Sequence, residues 1–117
     1  MEKIVEQGLL YDFYGELLTA HQKKVYEDFV YHDLSLSEIA EEYDISRQAA
    51  HDLIRRCDQT LKKYEDKLGL VARFTRIKEK TAELKQLTAA RNNITHNQLT
   101  ERVNEISNEI LTELTRQ

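Results

Sequence analysis

The chain contains no proline and only three glycines in 117 residues, and this scarcity limits what it can fold into. Tight turns between β-strands usually need Gly, Pro or Asn-Gly pairs, so a sheet-rich fold is disfavoured. Apolar residues make up 40% of the chain, which is enough to form a core and argues against wholesale disorder. The sequence therefore predicts an all-α protein.

The chain is acidic overall, with 21 acidic and 17 basic side chains and a formal net charge of −4. This balance argues against binding of nucleic acid through bulk charge, although it allows a local basic face. Residues 1–34 hold three basic and seven acidic side chains, whereas residues 69–117 hold eight and six. Positive charge is thus shifted toward the second half of the chain.

Several classes of function are disfavoured by the residue types present. Cys57 is the only cysteine, which excludes an internal disulfide framework and a cysteine-rich zinc site, and it is expected to be buried. Glu38, Glu41 and Glu42 are explained as a helix cap and a solvated face. We expect no enzymatic activity, no cofactor and no metal. No apolar run of about 18 residues and no signal peptide are visible, which predicts a cytoplasmic protein without membrane insertion.

Apolar spacing and capping residues divide the first part of the chain into four helices. Thr19 and Ser35 each precede a Gln or Glu by three residues, a capping-box pattern that predicts the start of the second and third helices. Ser46 is a good N-cap for a long helix over residues 47–68, and Gly69 is predicted to end it. The first helix is predicted to bury one stripe formed by Ile4, Val5, Leu9, Leu10, Phe13, Leu17 and Leu18.

Past Gly69 the apolar positions follow a heptad rhythm. The first series is Leu70, Phe74, Ile77, Thr81, Leu84 and Thr88. After a break at residues 91–94 and a further capping box at Thr95, a second series comprises Leu99, Val103, Ile106, Ile110 and Leu114. Such narrow seams bury little alone, so residues 69–117 are predicted to form a helical hairpin after a first domain at 1–68. Its apolar seam is a candidate dimer interface, so a homodimer is expected, and the sequence leaves open whether the two helices pack within one chain or across two.

The stretch 35–56 has the pattern of a helix-turn-helix. Ala40 is small where two helices must cross closely, and Asp44 tolerates the left-handed conformation that the turn needs. Ile45 is an apolar plug in that turn, while Ala50 and Leu53 are expected to face inward on the second helix. Small, apolar and capping positions agree over some twenty residues, which predicts a helix-turn-helix with a solvent-exposed cationic face.

That outward face supplies the candidate DNA-binding residues. Helix starts enter the major groove first, so Arg47 and Gln48 are placed to contact base edges, with His51 and Arg55 on the same face. Asp52 is unfavourable there because a carboxylate near phosphate lowers affinity. The full predicted set is Ser46, Arg47, Gln48, His51, Arg55, Arg56, Lys62 and Lys63. Arg55 is positioned for either a base or a phosphate contact, and the last three are expected on phosphate.

The residues at 9–14, 17–19, 35–42 and 46–49 are similar to those of the YlxM family of small bacterial proteins, and the likeness covers roughly residues 4–68. The helix-turn-helix part also resembles region 4 of bacterial sigma factors, which reads promoter DNA. In this family the gene commonly lies beside genes for the signal recognition particle GTPase and its receptor. The resemblance therefore implies a regulatory role in the signal recognition particle pathway. The expectation of double-stranded DNA as partner comes from the helix-turn-helix residues themselves.

Two alternatives remain open at this stage. The chain is a protein-interaction module whose acidic residues 1–34 bind the signal recognition particle GTPase or its receptor, or it binds the RNA of that particle through the basic stretch 73–85. Six tyrosines fall within the first 64 residues, at spacings that favour packing over base stacking.

Overall fold

The structure is a computed structural model that describes residues 2–89 and 94–115. Within these ranges the chain is helical without any β-strand, which confirms the all-α prediction. The helices are α1 (Lys3–Tyr14), α2 (Ala20–Val30), α3 (Leu36–Tyr43), α4 (Arg47–Leu68), α5 (Leu70–Ala89) and α6 (His96–Thr115), and a turn of 3₁₀ helix (Gly15–Leu17) follows α1. None of these described helices is long and apolar enough to cross a membrane. The break predicted at 91–94 lies, apart from Ile94, outside the described residues.

The chain divides into two compact units, Met1–Val71 and Ala72–Gln117. The boundary lies inside α5, whose first two residues pack with the first unit: Val71 belongs to the core of that unit and Leu70 packs against it. The first unit contains the helix-turn-helix, and the second contains the rest of α5 together with α6.

The predicted helix starts and the end of α4 are confirmed, because they depend on local hydrogen bonds and backbone conformation. Reciprocal capping bonds of 3.0–3.2 Å join Thr19 with Gln22, Ser35 with Glu38, and Thr95 with Gln98. Gly69 ends α4 with φ +64°, a conformation that glycine adopts without steric cost.

The core of the first unit is formed by all of its helices. Its fully enclosed side chains include Val25 and Tyr26 from α2, Ile39 from α3, and Cys57 and Leu61 from α4. Burial raises the pKa of the Cys57 thiol to about 11. A buried, protonated thiol is a poor nucleophile, so Cys57 serves as a small core residue.

The predicted stripe on α1 is wrong for more than half of its members. Its exposed members are Ile4, Val5, Phe13 and Leu17. The buried face instead carries Gln7, Leu10, Tyr11 and Tyr14. Polar Gln7 and the tyrosines occupy this face because their polar ends find partners inside the unit. The 3₁₀ turn then changes the helical register, so Leu18 is buried while Leu17 is not.

Tyrosine hydroxyls are bonded to carboxylates throughout the first unit. Donor and acceptor pairs are Tyr11 with Glu27, Tyr14 with Glu65, Tyr26 with Asp58, Tyr31 with Asp12, and Tyr43 with Asp28. These bonds let large aromatic bodies pack inside while each hydroxyl retains a partner. These hydrogen bonds indicate that most of the tyrosines are structural residues, and they give no support to base stacking.

In the second unit, α5 and α6 run antiparallel and are joined by ion pairs. Arg76 contacts Glu113 at 2.8 Å, Lys80 contacts Glu109 at 2.6 Å, and Arg102 contacts Glu83 at 2.8 Å. Ile106 is fully buried, as the heptad pattern predicts. Four members of the two predicted series are exposed: Phe74, Thr81, Thr88 and Leu114. Both threonines donate to carbonyl groups of their own helix.

Candidate nucleic-acid interface

The turn between α3 and α4 has the geometry of a helix-turn-helix. Asp44 adopts the left-handed conformation predicted for it, with φ 53° and ψ 50°. The N–H groups of Asp44 and Ile45 both donate to the carbonyl of Ala40, the latter at 2.9 Å. These bonds satisfy the last carbonyls of α3 and reverse the chain within three residues. Ile45 packs against the core as predicted.

The inner face of α4 fixes how the second helix of the motif is presented. Ala50 is fully buried, as expected for a close helix crossing. Ile54, rather than Leu53, occupies the next buried position, and Leu53 is half-buried against the core. Residues Cys57 and Leu61 continue this buried line. The opposite side of α4 therefore faces away from the core along its first four turns.

The beginning of α4 is capped and open to solvent. Ser46 Oγ accepts a hydrogen bond of 3.0 Å from the N–H of Ala49, which confirms Ser46 as the N-cap. Arg47 and Gln48 are exposed in the first turn. The N–H groups that open a helix point outward along its axis, where they attract anions.

Each predicted site residue is exposed, but the structure separates the set into groups. Arg47, Gln48 and His51 border one shallow depression, and His51 and Arg55 border a cleft beside it. Lys62 joins Arg55 at a third depression farther along α4. Arg56 borders a different depression, with His21 and Gln22 of α2, and Lys63 borders none of these. The basic flank of α4 is hence Arg47, His51, Arg55 and Lys62, while Arg56 lies on the other flank.

Asp52 lies among the side chains expected to contact bases. It accepts a hydrogen bond of 3.3 Å from Gln48 Nε2, and its Oδ1 lies 3.8 Å from both His51 Nδ1 and Arg55 Nη2. This carboxylate offsets positive charge in the first two turns of α4.

Lys3 is a cationic residue near this flank that the sequence does not reveal. It borders the cleft with His51 and Arg55 and the depression with Lys62. No local pattern relates Lys3 to residues more than forty positions later. It reaches the flank because α1 packs along α4, an arrangement that Gln7 stabilises by donating to Asp58 at 3.0 and 3.1 Å.

No group of three or more His, Cys, Asp or Glu side chains suited to a metal ion occurs within 2–89 and 94–115. An all-α unit with this turn, this cap and an exposed second helix defines a helix-turn-helix protein. The chain belongs to the family described as "Putative helix-turn-helix protein, YlxM / p13 like", whose model matches residues 1–106. The resemblance noted in the sequence is thereby confirmed.

Bacterial relatives support the assignment. A UPF0122 protein of Desulforamulus reducens is 45% identical over 84 residues, which covers 72% of each chain. A UPF0122 protein of Bacillus thuringiensis is 46% identical over 87 residues, or 74% of this chain and 79% of the relative. UPF0122 protein lwe1821 of Listeria welshimeri is 46% identical over 88 residues, or 74% and 80%.

Proposed function

We propose that the protein is a non-enzymatic regulator that binds double-stranded DNA by inserting the start of α4 into the major groove. The observation that carries this proposal is the exposure of Ser46, Arg47, Gln48, His51 and Arg55 on a helix whose opposite face is fixed in the core. An arginine donates twice to guanine and a glutamine pairs with adenine, so Arg47 and Gln48 read base edges.

Phosphate contacts follow from the remaining basic side chains. Arg55 and Lys62 continue along the same flank as Arg47, and Lys3 extends it from α1. Arg56 and Lys63, displaced around the helix, contact the other strand's backbone. The N-terminus of α4 with the Ser46 hydroxyl adds one contact that needs no formal charge.

The test is fluorescence anisotropy with a labelled duplex over a range of salt concentrations. Binding through phosphates weakens steeply with salt, and Arg55→Ala reduces the log–log slope by about one while weakening every duplex alike. Lys67→Ala is the matched control, because Lys67 is an exposed cation in the last turn of α4. Absence of binding to any duplex at low salt, or equal loss in both variants, contradicts the proposal.

The same proposal has two further parts: the protein acts in the signal recognition particle pathway, and it forms a homodimer. The pathway link rests on the family resemblance. A dimer is supported by Leu111 and Leu114, which are 57% and 60% exposed on α6. Two-fold pairing would present two copies of α4 to one duplex, which raises affinity.

RNA binding through residues 73–85 has less support. Arg76 and Lys80 in that stretch are engaged by Glu113 and Glu109, so their charges are partly offset. Duplex DNA is the better-supported nucleic acid because its candidate residues on α4 project from the helix-turn-helix into solvent.

A further inference from the structure

A cleft of about 500 Å³ opens in the first unit beside the basic flank of α4. Its apolar wall is built from four helices, with Ile4 of α1, Phe29 of α2, Leu36 of α3 and Ile54 of α4. Volumes of this size are typical of sites for small organic molecules, and such sites combine apolar walls with a few fixed polar groups.

The rim of the cleft carries cations without strong partners. Among residues 2–89 and 94–115, no carboxylate lies within ion-pair distance of the Lys3 ammonium group. Arg55 has one carboxylate, Asp52, at 3.8 Å, and its side chain is 53% exposed. Two cations at the rim of an apolar cleft are complementary to an anionic group on an apolar body.

The floor of the cleft is polar and rigid. Gln7 is 94% buried, and its amide nitrogen donates to both oxygens of Asp58. The hydroxyl of Tyr26 donates to Asp58 at 2.5 Å, so three hydrogen bonds disperse the charge of this carboxylate. Within the described part of the chain, no group donates to the side-chain oxygen of Gln7, and this oxygen is not among the buried atoms left without a partner, so it is an accessible acceptor at the floor.

We propose that this cleft binds a small organic acid, with an apolar, ring-sized body against Ile4, Phe29 and Leu36 and a carboxylate between Lys3 and Arg55. A donor on the ligand body would pair with the Gln7 carbonyl. Since His51 and Arg55 also belong to the DNA-binding flank, an occupied cleft weakens duplex binding. That second consequence rests on the proposed function, whereas binding of the acid does not.

The first experiment compares three probes of one shape by heteronuclear NMR titration of the full chain: naphthoate, naphthalenemethanol and naphthylmethylammonium. The carboxylate is expected to bind about tenfold more tightly than the alcohol, and the ammonium more weakly than either. Lys3→Gln reduces naphthoate affinity to the level of the alcohol, while Lys67→Gln, at an exposed residue that does not border the cleft, leaves it unchanged. Equal affinities of the three probes overturn the proposal.

The second experiment blocks the cleft. Ile4 and Val5 are adjacent, 41% and 49% exposed, and Ile4 alone of the two borders the cleft. Ile4→Trp is expected to abolish naphthoate binding and Val5→Trp to preserve it, with circular dichroism verifying that both variants remain folded. Retained binding in Ile4→Trp overturns the site.

The third experiment separates the two proposals. Naphthoate binding is measured without DNA, so failure of duplex binding leaves the cleft assignment intact. If the wild-type protein binds naphthoate and duplex DNA, saturating naphthoate is expected to weaken the affinity for the duplex at least several-fold. This effect is expected to vanish in Ile4→Trp. Binding of both without competition contradicts the shared use of His51 and Arg55.

Discussion

At the level of single residues, the tyrosines show what composition predicts and what it does not. Helical spacing indicates that they pack with the core, and Tyr14 and Tyr26 are indeed 1% and 0% exposed. Their partners are unpredictable, because Tyr26 bonds to Asp58 and Tyr14 to Glu65 across 32 and 51 positions. Pairings of this kind depend on how helices pack, and no local pattern encodes that.

Removal of one buried hydroxyl tests the importance of these bonds. Tyr26→Phe leaves the Asp58 carboxylate with fewer donors, so it is expected to lower the free energy of unfolding by about 2 kcal/mol. Tyr31→Phe is the control, since Tyr31 is 49% exposed, and it is expected to stay within about 0.5 kcal/mol of wild type. Urea denaturation measures both, and equal losses would contradict the burial argument.

Asp28 is expected to make the stability of the fold dependent on pH. The hydrogen bond from Tyr43, followed by that from His32, lowers the pKa of Asp28 below its ordinary 3.8. A carboxylate whose pKa is lower in the folded than in the unfolded chain stabilises the fold at pH values above its ordinary pKa. This stabilisation is lost as the pH falls through the lowered pKa of the folded state. Destabilisation by Tyr43→Phe should therefore be largest near neutral pH and shrink below pH ~4. A pH-independent difference in melting temperature would contradict it.

Asp52 is expected to limit DNA affinity. Asp52→Asn removes a negative charge next to Gln48, His51 and Arg55. Duplex binding is therefore predicted to tighten about fivefold, a gain in binding free energy of about 1 kcal/mol, which is the size expected for one charge at a protein surface. Asp66→Asn, an exposed position in the last turn of α4, is the charge-matched control. Anisotropy titration at fixed salt measures both, and equal gains would mean that only net charge matters.

At the level of elements, helix boundaries follow from local chemistry and buried faces do not. The caps at Thr19, Ser35 and Ser46 are encoded within three residues and are confirmed. The apolar pattern predicts the wrong buried face for α1 because its apolar residues are distributed around the helix. Tertiary bonds to Gln7 and the tyrosines then decide which side is buried. The exposed flank of α4 is predictable from the helical period and the caps, whereas the position of Lys3 beside that flank is not.

The cap of α3 gives an element-scale prediction. Ser35→Ala removes the oxygen that accepts the Glu38 N–H at 3.1 Å, so it is expected to cost about 1 kcal/mol of stability. Ser37→Ala alters an exposed serine inside the same helix and is expected to be neutral or slightly stabilising, since alanine favours helix. Chemical denaturation compares the two, and equal effects would exclude a specific role for the cap.

At the level of the whole molecule, the second unit exposes apolar surface that one chain leaves uncovered. Leu111→Glu places a charge on that surface. If the surface joins two chains, sedimentation of wild-type protein should give about twice 13.8 kDa, and Leu111→Glu should give a monomer. Thr112→Glu, at the next exposed position, should remain dimeric. A wild-type monomer would contradict the dimer.

The distribution of aromatic residues makes the two units optically distinct. The chain lacks tryptophan and all six tyrosines lie between positions 11 and 64, so tyrosine fluorescence arises from the first unit alone. Far-ultraviolet circular dichroism reports helices in both units. A melt followed by both signals therefore shows whether the two halves unfold together, without any label or mutation: coincident curves indicate one cooperative transition, and separate curves indicate two.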